Sequence, residues 1–134
     1  MTKRTLGAIL AVFIAWSAMD FILHGFLLRP LYQATADRWR PTAEMNIPLL
    51  CLVMLTITAC FVLIYGLLVE RKSLASGIQF GALFGLASGI SMGFGSYCMM
   101  PIPLALAWSW FLASWIEITA AGAIVGAIMR SSDP

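Results

Sequence analysis

Four apolar runs, at about residues 6–28, 47–69, 75–99 and 104–129, constrain this chain more than any other feature. Each is about 23–26 residues long, against the roughly 20 that a helix needs to cross the hydrocarbon core of a bilayer. Composition points the same way, with 61% of residues hydrophobic and 10% charged, where a soluble domain carries about 25% charged residues. The sequence therefore predicts an all-α integral membrane protein whose solvent is lipid. It reads as one transmembrane domain over residues 1–134, folded as a four-transmembrane-helix antiparallel bundle. The basic start and apolar core of residues 1–18 resemble a secretory leader, but the apolar run continues to Leu28, which is long enough to span.

The connections differ in kind. Residues 29–46 form a polar outer loop, residues 70–74 a tight turn, and Pro101 and Pro103 break the chain between the third and fourth runs. Short turns make consecutive helices antiparallel neighbours. Lys3, Arg4, Arg71, Lys72 and Arg130 fall on one side of such a bundle, and Arg29, Arg38 and Arg40 on the other. The positive-inside bias then gives an N-in/C-in orientation. The net charge of +2 is small and scattered, without the basic stripe that nucleic-acid binding needs.

In the third run Gly77, Gly81, Gly85, Gly89 and Gly93 recur every four residues. One bare stripe on a membrane helix lets another backbone approach closely. Tight packing within the chain is the first reading, and homo-oligomerisation the second. Cys51, Cys60 and Cys98 show no metal or disulfide spacing and read as small packing residues.

Ionisable groups inside the runs are the candidate functional residues. Asp20 and His24, four apart, share a helix face with Ser17, and Glu117 sits near the middle of the fourth run among small neighbours. An ionised side chain at the centre of a membrane helix costs about 2.5–3.5 kcal/mol on insertion scales, and such residues usually pair or mark an ion or proton path. Glu44, at the end of the outer loop, is placed to close the site from above, and Arg29, Arg38 and Arg40 to neutralise it from the rim. Three readings compete. Asp20, His24 and Glu117 hold a divalent metal ion, a ligand set suited to zinc, iron or manganese. The same groups carry protons or bind a small ligand, with His24 titrating near neutral pH. Or they form a buried structural network. Met19, Met92, Met99 and Met100 with Cys98 and His24 add a weaker case for Cu(I), and a single histidine makes haem ligation a remote one.

In the outer loop, Asp37, Arg38, Trp39 and Arg40 read as an interfacial anchor or as a cap over the bundle's mouth. No Ser/His/Asp nucleophile arrangement, Walker loop, dinucleotide fingerprint or HExxH occurs, which argues against a soluble type of enzyme. Acid–base work on a lipid or quinone stays open.

The D-x-x-x-H-G of Asp20, His24 and Gly25, with Tyr32 and the Trp39-Arg40-Pro41 loop, resembles small four-helix bacterial inner-membrane proteins of unassigned function. The resemblance implies a fold and a plasma-membrane location, and no activity. The expected function is binding or passage of a metal ion, proton or small ligand at the Asp20, His24 and Glu117 site. The alternative is a non-catalytic accessory subunit that docks a membrane partner through loop 29–46.

Overall fold

In the computed structural model, which describes residues 3–130, helix accounts for most of those residues and no strand occurs among them. The elements are α1 (Lys3–Ile22), α2 (Arg29–Gln33), α3 (Ile47–Leu68), α4 (Leu74–Ile90), α5 (Ser96–Met99) and α6 (Leu104–Met129). A π-helical turn, Leu23–Leu27, extends α1, and a second, Ser91–Gly95, joins α4 to α5. Four helices are long and apolar enough to cross a membrane: Lys3–Leu27, Ile47–Leu68, Leu74–Met99 and Leu104–Met129. They match the four apolar runs to within about a turn at each end.

Local chemistry sets the boundaries. Asn46 caps α3 by accepting from the Leu49 N–H at 3.0 Å, with Pro48 in the first turn, where a missing N–H costs nothing. Ser73 and Ser76 form a reciprocal capping box at the start of α4, and the Tyr65 hydroxyl bonds Ser76 Oγ at 2.9 Å and the Ser73 carbonyl at 3.1 Å. The tight turn is thereby fastened to α3. Pro101 and Pro103 stop α5 and start α6, since neither can donate to a helical ladder. The outer loop is not an open polar span. It holds α2 and two 3₁₀ turns, Ala36–Arg38 and Thr42–Glu44.

The closest helix pair is α4 against α6. A Cβ built on Gly81 would lie 2.6 Å from the Ile118 carbonyl oxygen, and one on Gly89 would lie 2.8 Å from that of Phe111. Gly77 opposes Gly122 and Gly126, and Gly93 opposes the Ala107 carbonyl. The five-glycine stripe is thus the surface on which α6 lies, backbone to backbone. Arg4 donates to the Arg130 carbonyl at 3.4 Å, so the start of α1 and the end of α6 meet at one end of the bundle.

Two apolar cores result. At the terminus end, Val12, Trp16, Phe61, Val62, Tyr65, Ala121 and Val125 pack together. At the loop end, Leu28, Ile102, Leu106, Ala107 and Trp110 form a second cluster, roofed by Leu31, Tyr32 and Trp39. α3 belongs to the first core alone. Its ring contacts, Phe61 with Trp16, Phe80 and Phe84, lie in its second half. Every residue from 47 to 57 except Met54 is exposed. Cys51, Cys60 and Cys98 are free and exposed rather than packed inside.

Candidate functional site

Between the two cores lies a cavity of about 1230 Å³. Its first wall is α1 and the π turn beyond it, with Trp16, Ser17, Asp20, His24 and Gly25. α6 contributes Trp110, Ala113, Ser114 and Glu117, and α4 with its π turn contributes Phe84, Ser88 and Ser91. The fourth wall is the sparsely packed half of α3, with Leu50, Cys51, Met54 and Ile57. Leu50, Cys51 and Ile57 are exposed as well as cavity-lining, so the cavity opens sideways where α3 stands away from its neighbours.

The structure brings Ser17, Asp20, His24 and Glu117 to this one space. Glu117 is 6% exposed, and its Oε1 has no hydrogen-bond partner. The Trp16 side chain is a hydrogen-bond donor to the same carboxyl. His24 Nε2 stands 3.6 Å from Asp20 Oδ1, an ion-pair distance too long for a direct hydrogen bond. On its other side His24 Nδ1 lies 2.6 Å from the Tyr32 hydroxyl. That hydroxyl also accepts from the Trp110 indole N–H at 2.7 Å. Since indole only donates, the phenol's own proton is free to go to the imidazole. The chain of groups is then Trp110 to Tyr32 to His24 Nδ1, with His24 Nε2 turned to Asp20.

Tyr32 sits in α2, outside the long helices. Burial pushes its phenol above its ordinary value near 10.0; the Asp20 charge adds to the rise and the Trp110 hydrogen bond works against it. Trp39 completes the roof. Its ring meets Tyr32 edge-on at 5.5 Å and Trp110 at 5.9 Å, and its N–H donates to Thr35 Oγ1 at 2.8 Å.

Other sequence expectations separate from the site. Glu44 is exposed in its 3₁₀ turn and does not line the cavity, because Pro41 and the turn carry it past the bundle's mouth. Arg29, Arg38 and Arg40 are exposed and line none of it, and Arg38 pairs with Asp37 at 3.9 Å. Among the described residues, no three His, Cys, Asp or Glu side chains gather closely enough to hold a metal ion. The three-ligand centre expected of Asp20, His24 and Glu117 is not formed here: Tyr32 engages one imidazole nitrogen, and Glu117 faces Trp16 from another helix.

The sequence marks Tyr32 only through the resemblance to four-helix membrane proteins and assigns Trp110 and Trp16 no role. The available signal was spacing, since Tyr32 follows His24 by eight residues. The π turns left no mark in the pattern of apolar residues. Such turns occur often at functional sites, and both of these border the cavity. The chain matches no family model, no curated protein and no solved structure.

Proposed function

We propose that the protein binds a small amphipathic ligand from the lipid phase in the cavity between its two cores, with Asp20, His24 and Glu117 as the polar contacts. The observation that carries this reading is Glu117 Oε1, a buried acceptor without a partner in an apolar cavity. Leaving a buried polar atom unmade costs about 1–3 kcal/mol, and a ligand's donor removes that cost. At about 1230 Å³ the cavity is somewhat larger than the roughly 300–1,000 Å³ of common small-molecule sites and leaves room for a guest with an apolar tail. Ligand binding is favoured over docking of a partner by loop 29–46, because Tyr32 and Trp39 are spent on roofing the loop-end core. On this reading the chain lies in a bacterial plasma membrane with both termini inside, in the sense of its Lys and Arg distribution.

The test is photolabelling with a diazirine-bearing octanol, a neutral amphiphile, on the protein in lipid nanodiscs. Labelling at Asp20, Ser88 and Glu117 should saturate and be displaced by excess octanol. Ala113→Trp, which fills the cavity, should abolish it. Unsaturable labelling confined to outward-facing residues, unchanged by Ala113→Trp, would reject the site.

A further inference from the structure

Charge in the cavity is one-sided. Asp20 and Glu117 are its two carboxyl groups, His24 is its one imidazole, and no lysine or arginine lines it among the described residues. Even with His24 protonated beside Asp20, Glu117 has no counter-charge, and its Oε1 has no hydrogen-bond partner at 6% exposure. Membrane-embedded acids are ordinarily paired. Beyond the Trp16 N–H, Glu117 has no partner among the described residues, while the cavity beside it has space for one.

The walls narrow the class further. Trp16, Phe84 and Trp110 line the same cavity, and aromatic faces attract cations most strongly when water is excluded. The oxygens of the lining, five serine hydroxyls and the Asp20 and Glu117 carboxyl groups, are spread over three helices, and among the described residues no three His, Cys, Asp or Glu side chains gather to hold a metal ion, so these walls suit an organic cation better than an inorganic ion that must exchange its whole hydration shell. The opening beside Leu50 and Cys51 faces the apolar flank of the bundle, so entry is from lipid. We infer that the ligand is a lipophilic organic cation, whose charge is met by Glu117 and Asp20 and whose apolar body is held by the aromatic walls. This rests on the cavity being a ligand site and adds the sign of the ligand's charge.

Two probes of one shape and opposite charge test it: tetraphenylphosphonium and tetraphenylborate. Each competes against the neutral diazirine octanol on the full chain in nanodiscs, and labelling is read at Ser88 and Ser91. The phosphonium should displace the label at about tenfold or more lower lipid-phase concentration than the borate. Glu117→Gln should reduce that preference about tenfold, through loss of the Coulombic attraction of one of the two cavity carboxyl groups. The borate partitions into bilayers more strongly, so failure to displace is not failure of access. Equal displacement by both ions, or stronger displacement by the borate, overturns the inference while saturable neutral labelling leaves the cavity reading in place. Absence of any saturable labelling removes both. Should Glu117→Gln fail to fold, the two ions on the unaltered chain decide the matter alone.

Discussion

Replacing Tyr32 by phenylalanine deletes one oxygen and strands two nitrogen partners, Trp110 Nε1 at 2.7 Å and His24 Nδ1 at 2.6 Å. A donor left buried without an acceptor costs about 1–3 kcal/mol, and Tyr32→Phe should lower detergent stability by that amount in a thermal melt. Removing the indole as well, in Tyr32→Phe/Trp110→Phe, should recover part of the loss, because both partners are then apolar. The phenol also predicts a pH dependence. Its folded value lies above the ordinary 10.0, so the fold favours the protonated form. Stability from Tyr32 is fully present below pH 10 and is lost as pH rises through the folded value. Melts between pH 7 and 11 should show an alkaline decline that is smaller in Tyr32→Phe. An identical decline in both proteins would remove the phenol as its source.

At the scale of elements, the glycines of the α4–α6 seam are not equivalent to Gly7. Gly81→Ala places a Cβ 2.6 Å from the Ile118 carbonyl oxygen and 2.9 Å from the Gly122 Cα. Backbone must move, at about 1–3 kcal/mol. Gly7, in α1, has nothing within 4 Å of an added Cβ, and Gly7→Ala should be neutral or stabilising by up to about 1 kcal/mol. Paired melts of these two variants separate seam packing from helix propensity. The seam also illustrates what a sequence discloses. Glycine at a period of four is visible without any structure, and so are four long apolar runs, because both depend on one helix at a time. The cavity was legible only in its acids: Asp20, His24 and Glu117 stand out by charge in apolar runs. Tyr32, Trp110 and Trp39 are ordinary interfacial residues by composition, and their convergence depends on how α2 folds back over α6. Nor does any residue pattern announce that α3 would pack along half its length and leave the space open.

For the whole molecule, the two described ends meet through Arg4 and the Arg130 carbonyl, with the α2 segment at the opposite end. With Lys and Arg counted on each side, a fluorescent protein fused after Arg130 should fold and fluoresce inside a bacterial cell. A periplasmic phosphatase inserted at Gln33 should be active outside it. The reverse pattern would invert the orientation and turn the Tyr32 roof toward the cytoplasm. The π turns Leu23–Leu27 and Ser91–Gly95 bear on how such a molecule can change by descent. Each accommodates about one surplus residue in a helix of 3.6 residues per turn, so it shifts the angular phase of all that follows by about 100°. The two ends of the protein therefore answer to different clocks. A single-codon deletion of Gly25, Phe26 or Leu27, which lie between His24 and Tyr32, would leave the first run long enough to span and the glycine seam intact, yet swing Tyr32 a quarter-turn or more away from His24. The site above Asp20 is exposed to frameshift-free indels in a way that the bundle is not.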